Sequence, residues 1–333
     1  MLGIISGEVM RVYFVFVILI VCLVASAAEL RQVAIVDLPG GPGFDGTAFV
    51  NGMLLIGHGG AGTVDVFDPQ RRRVVAQIKD VGDVQGIVAD ENAATVYVSD
   101  SAGKRIVVLS AKDWKTTDTV PLQVEPYALA LSGDGSKLFV GNWRSQTVSS
   151  IDLAHGFRVR TAEVGGTPRC LAYDSGGQVL YASLDDRAEV VAIDGNLNVV
   201  RRMKLIASQP TGLALDSAGK RLYVAVRHAV SAVQVDTGVE VGRLAASAGA
   251  NALWLDLGSG TLYVGAADGT ITMMQATGSG FAPLGEVHTD VRGSSLAYDA
   301  GRGLLFVPGG LEGKSKLLIM KRVESPQGAS NAP

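Results

Sequence analysis

The side chains of this sequence that could do chemistry are scattered, and none falls into a ready-made site. The acids Asp45, Asp100, Asp185 and Asp186, the cations Arg144, Arg169, Arg187 and Arg227, and the histidines His58, His228 and His288 are spread along 333 residues. A zinc hydrolase would need two histidines one helical turn apart on one face, and no HExxH is present. No EF-hand spacing of acids and amides is present either. There is no G-x-S-x-G turn to lift a serine nucleophile and no C-x-x-C-H to attach haem. Gly41, Gly43 and Gly46 match G-x-G-x-x-G after a strand, but a strand follows where a phosphate-binding helix would have to start. They read as a glycine-rich loop. Cys170 has no partner but Cys22, which lies in an apolar leader, so it reads as a buried, inert thiol.

What must position these residues is a repeat. An apolar-aromatic-small pattern recurs around positions 55, 97, 139, 181, 223, 263 and 306, in steps of 42, 42, 42, 42, 40 and 43. Val96-Tyr97-Val98-Ser99 and Leu222-Tyr223-Val224-Ala225 are examples. A second pattern keeps the same beat about ten residues upstream, as in Ala128-Leu129-Ala130-Leu131 and Gly212-Leu213-Ala214-Leu215. Between the two lie Gly/Asp/Ser turns such as Asp216-Ser217-Ala218-Gly219. A third strand follows and often ends in Asp, as at Asp68, Asp152, Asp194 and Asp236, and a weaker, polar fourth closes the unit. Four short strands in about 42 residues, without a 3.6 period, are the signature of a propeller blade. The expected fold is all-β: a seven-bladed β-propeller over residues 29–322. The last repeat has only three strands, and Gln32–Val36 is a spare. That strand is expected to complete the last blade, closing the ring and removing an exposed edge.

The two ends read differently from the repeat. Arg11 precedes an apolar run, Val12–Val24, and the small residues Ala25, Ser26, Ala27 and Ala28 follow. This is the order of a secretory signal peptide over residues 1–28, with cleavage after Ala27 or Ala28 and Met10 as the better start. The run is shorter than the roughly 20 residues a membrane span needs. The mature chain is therefore expected in the periplasm or outside the cell, as a monomer without a membrane span. Residues 323–333 are polar and read as a disordered tail. A net charge of −3 gives no pull toward nucleic acid, and the one cationic run, Arg71–Arg73, falls in a hairpin tip on the bottom face.

Tyr97-Val98-Ser99-Asp100 and Phe139-Val140-Gly141-Asn142 resemble the YVTN-type β-propeller repeat. Pro126-Tyr127-Ala128-Leu129-Ala130, Pro168-Arg169-Cys170-Leu171-Ala172 and Pro210-Thr211-Gly212-Leu213-Ala214 resemble its P-x-x-(L/V)-A strand opening. The resemblance implies a bacterial periplasmic or surface propeller, more distantly similar to sugar-lactone hydrolases and to haem- or quinone-associated propellers. It implies no catalytic residues.

In such a fold the loops before the inner strand and after the aromatic strand share the top face, where ligands usually bind. The repeat puts Asp45, Gln85, Tyr127, Arg169, Thr211, Asn251 and Ser294 at the mouth of the central channel. It puts His58, Asp100, Asn142, Trp143, Arg144, Asp185, Asp186, Arg187, Arg227 and His228 in a second ring. Acids, cations and aromatics together suit a small polar ligand or a protein partner, with Asn142-Trp143-Arg144 the sharpest cluster. The leading expectation is a binding module with no catalytic residues. Two others stand beside it. A lactone hydrolase would use a channel metal, with calcium held by Asp45, Asp100 and Asn142. A redox propeller would turn His58, His228 or His288 toward the channel.

Overall fold

The computed structural model describes residues 28–278, 280–293 and 295–324. The expected leader up to Ala27, Ser294 and the end of the tail lie outside these residues. Among the described residues twenty-eight strands form seven four-stranded antiparallel sheets. The fold is a seven-bladed β-propeller. Its inner strands are Thr47–Val50, Val84–Asp90, Leu129–Leu131, Pro168–Asp174, Leu213–Asp216, Ala250–Asp256 and Ala297–Asp299, which open blades 1 to 7. Among the described residues no helix is long and apolar enough to cross a membrane.

The composition of each strand follows its depth. The second strands carry the aromatic pattern and are buried almost throughout, as in Thr95–Asp100 and Arg221–Val226. Tyr97, Phe139, Tyr181, Tyr223, Tyr263 and Phe306 fill the wedges between neighbouring sheets. Tyr263 stacks on Tyr298 of the next blade at 4.6 Å, and Phe139 on Tyr173 at 5.4 Å. Burying a large apolar side chain is worth roughly 1.5–3 kcal/mol, so these wedges supply much of what holds blade to blade. The outer strands alternate between exposed and half-buried residues, as in Val239–Ala245, because successive side chains point to opposite faces of the blade. The aspartates ending third strands cap the bottom turns: Asp68 accepts from the amides of Gln70 and Arg71, and Asp194 from those of Asn196 and Asn198.

The ring closes as the spare strand requires. Ala28–Asp37 pairs antiparallel with Lys314–Glu324, the third strand of blade 7, and becomes that blade's outer strand. Val323 and Glu324, expected in the tail, belong to this ladder. On the channel side Thr47 donates to the carbonyl of Leu296 (3.0 Å) and Ser295 to that of Phe44 (3.3 Å). The glycine-rich loop then runs from blade 7 into blade 1. Gly60 packs on it so closely that an added Cβ would lie 2.4 Å from the Pro42 carbonyl oxygen.

Candidate binding site at the channel mouth

At the top of each inner strand in blades 1 to 6 the ladder breaks. In blade 1 the Asp45 amide donates to Gly57, while the Gly57 amide donates to Gly46, so two residues oppose one. Tyr127 and Ala128 stand in the same way against Gly141, and Thr211 and Gly212 against Ala225. Blades 2, 4 and 6 show register shifts at Val84/Ile87, Pro168/Cys170 and Ala250/Ala252. These are β-bulges, which bend a strand and re-aim a side chain. Here they turn the mouth residues toward the axis.

Three rings result around a cavity of 210 Å³. Asp45, Gln85, Tyr127, Arg169, Thr211 and Asn251 form the upper one, as the repeat phase predicts. The next residue of each blade is small, including Gly46, Gly86 and Gly212. The reason is close approach: an added Cβ would lie 2.5 Å from the Tyr127 carbonyl oxygen at Gly86, and 2.1 Å from that of Asn251 at Gly212. The third ring is apolar but for Thr47 of blade 1: Ile87, Leu129, Leu171, Leu213, Leu253 and Leu296 line the rest of the throat. Two serines lock the rings together. Ser99 accepts from the Gly86 amide and donates to the Tyr127 carbonyl of the next blade, both at 2.7 Å. Ser183 does the same between Cys170 (3.0 Å) and Thr211 (2.6 Å).

Charge at the mouth is held apart. The Arg169 guanidinium lies over the Tyr127 ring at 4.8 Å and beside Trp143 at 5.8 Å. Tyr127 and Trp143 meet at 5.7 Å, so the cation sits on an aromatic wall. Asp45 is half-buried, and its carboxyl makes no hydrogen bond among the described residues. Burial pushes its pKa up to about 6, against the pull of Arg169 and with a further push from Asp83. Burial likewise drives the Tyr127 phenol above its ordinary value, so it stays protonated. Asp45 and Arg169 thus feel each other's charge without ion-pair contact.

The second ring divides. Trp143 is half-buried on a short 3-10 turn, Trp143–Ser145, and Arg144 is exposed and pairs with Glu125 at 3.3 Å. Arg227, His228 and Asp185 line a second hollow of 460 Å³ that shares Arg169 and Thr211 with the central cavity. Asp186 and Arg187 are exposed, with Asp186 accepting from the Thr167 amide at 2.6 Å. Three expectations need correction. His58, Asp100 and Asn142 are buried inside their blades and face no cavity. Asp100 accepts from the amides of Asp83 and Gly103 and pairs with Arg105 at 2.7 Å. Asn142 donates to Thr147 and Ser149. His58 contacts Asp65 and the Gly41 carbonyl. Asp45 is therefore not brought together with Asp100 and Asn142, and the expected calcium set does not assemble. Among the described residues no group of three or more His, Cys, Asp or Glu could hold a metal ion. His288 lies on an outer strand, exposed beside Glu286, and not at the channel.

Sequence reasoning missed four residues. Asp83 and Glu125 lie beside the mouth in a hollow of 260 Å³ that includes Gln85, Tyr127 and Trp143. They fall in loops before the mouth positions and carry no repeat signal. Ser295 and Cys170 belong to the small ring, and their phase, one residue past the mouth position, was the available signal. Cys170 is half-buried and lines the channel, where burial raises its thiol pKa.

No protein-family model matches the chain, and no curated protein matches it in sequence. Among solved structures it is similar to a chain of hydrazine synthase from Kuenenia stuttgartiensis. The identity is 15%, the match covers 89% of this chain and 99% of that one, and the TM-score is 0.74. At that identity the likeness bears on the fold alone.

Proposed function

We propose that this is an exported binding protein of the YVTN-type propeller kind, which takes a small polar ligand in the mouth of its channel. One observation carries the reading. Asp45 and Arg169 bear opposite charge, line one cavity and are bonded neither to each other nor to another side chain's hydrogen-bonding group. Half-buried charge without a partner is costly, and a fold keeps it where a ligand supplies what is missing. The cavity is smaller than the roughly 300–1,000 Å³ of pockets for drug-sized molecules, which points to a metabolite-sized ligand. The aromatic wall behind Arg169 is rigid and costs little ordering entropy on binding. The leader with Arg11 and the apolar run supports export to the periplasm or beyond.

The test expresses the full chain and purifies the mature protein from a periplasmic extract without chelators. Its amino terminus is expected at Ala28 or Glu29. Mass spectrometry of the denatured sample is expected to find a small polar molecule, absent from the Arg169→Met variant. Protein that stays in the cytoplasm would overturn export. Protein carrying one metal per chain and turning over lactones would replace the binding reading with the hydrolase.

A further inference from the structure

We propose that the ligand is a small zwitterion with an apolar side chain, a free apolar amino acid or a dipeptide. Its ammonium would face Asp45, its carboxylate Arg169, and its side chain would enter the throat. This rests on the binding reading above and commits it to a chemical class.

Charge is segregated around the mouth. Asp45, Asp83 and Glu125 come from the loops into blades 1, 2 and 3. Arg169 opens blade 4, and Arg227 and His228 turn the hairpin of blade 5. Two charges run against the trend: Arg144 pairs with Glu125, and Asp185 stands on the cationic side. The hollows at the mouth are continuous. The hollow beside Trp143 shares Gln85 and Tyr127 with the central cavity, and the hollow beside Arg227 shares Arg169 and Thr211. One trough therefore crosses the top face, acidic at one end and cationic at the other. Each simpler ligand would leave a charge unmet. A simple anion would satisfy Arg169 and meet the Asp45 carboxylate at close range. A simple cation would do the reverse. A neutral molecule would cover both desolvated charges and match neither, which is the costliest case. Below two charged groups, Ile87, Leu129, Leu171, Leu213, Leu253 and Leu296, with Thr47 the polar member, line the cavity's base, a largely apolar surface that only a ligand with an apolar part would use.

Calorimetric titration of the purified mature protein at pH 7.5 tests this. The probes are leucine, leucyl-leucine, their N-acetylated and C-amidated forms, and glycine. Leucine or leucyl-leucine is expected to bind. Acetylation or amidation should each weaken that probe at least tenfold, and glycine should bind more weakly than leucine. In Asp45→Asn the acetylated and free forms should become equal, and in Arg169→Met the amidated and free forms. The capped probes need no variant, so a variant that fails to fold does not blunt the test. An acetylated probe that binds as well as the free one would show an anion site and overturn the zwitterion. So would a different small molecule found in the purified protein while no amino acid or dipeptide binds, and the binding reading would then stand. If nothing is retained and no probe binds, both readings fall.

Discussion

Two acid–cation pairs in this propeller look alike on paper and behave in opposite ways. His58 and Asp65 are buried completely, and every polar atom of the pair is engaged. The imidazole Nδ1 donates to Asp65 at 2.8 Å and Nε2 donates to the Gly41 carbonyl at 2.7 Å. The Gly41 carbonyl can only accept, so Nε2 carries a proton, and a carboxylate facing Nδ1 favours the imidazolium form. The other Asp65 oxygen accepts from Thr63 (3.1 Å) and Gln77 (2.8 Å), and Phe44 stacks on the imidazole at 4.3 Å. Asp45 and Arg169 have no such bonds, only the aromatic wall against Arg169. An acid and a cation make a clasp where they are saturated and a candidate site where they are not.

The largest expected effect breaks the clasp. Asp65→Ala strips buried His58, Thr63 and Gln77 of their shared acceptor, and should cost about 3–5 kcal/mol in chemical denaturation at neutral pH. A loss below about 1 kcal/mol would mean that the pair is solvated and the contrast false. The pH dependence adds a second reading. Burial opposes charge on His58, but the bonds to Asp65 and Gly41 outweigh it and raise its pKa above the ordinary 6.5. A raised histidine stabilises the fold fully below pH 6.5, and that contribution is lost as pH rises through the folded value. The wild type should therefore lose stability on the alkaline side, and Asp65→Ala should show less of that slope.

The difference between the pairs also marks what the sequence could and could not say. The mouth positions were legible because they are local to the repeat: Gln85, Tyr127, Arg169 and Thr211 each stand at the start of a blade, two residues before the apolar throat residue. The closing strand was legible because one blade lacked a fourth strand. His58 was not. Its burial depends on the loop around Gly41 and on Ser315 of blade 7, contacts made only when the ring closes. Asp100 was closer to hand. The spacing Asp100-x-x-Gly103 is that of a side chain capping its own turn, and the structure shows that bond at 2.8 Å. Asp83 and Glu125 lay beyond reach, since nothing in their loops fixes how close they come to the axis.

A smaller effect probes the scaffold of the mouth itself. Ser183→Ala removes the donor to the Thr211 carbonyl and the acceptor of the Cys170 amide, two half-buried groups in adjacent blades. An unmet buried group costs about 1–3 kcal/mol, and a loss near the lower end is expected, read from the denaturation midpoint. Ser99→Ala, which bridges blades 2 and 3 in the same way, should lose a similar amount. If the mouth were only solvated loops, neither change would register.

The last test inverts the first. Asp65 is held by its bonds, so removing its charge destabilises; Asp45 is desolvated without bonds, so removing its charge should stabilise. Its pKa of about 6 stands above the ordinary 3.8, chiefly through burial. Between those values the folded chain keeps a proton that the unfolded chain releases. Stability contributed at this position is therefore greatest at low pH, falls as pH rises through the window and stays flat above it. Asn mimics the protonated acid at every pH. Asp45→Asn and wild type should melt together near pH 4, and the variant should melt higher at pH 7.5. A ligand cation beside Asp45 should pull its pKa back down and close that gap. A variant that melts lower than wild type at pH 7.5 would mean that Asp45 is a structural anchor like Asp65, and the contrast between the two pairs would collapse.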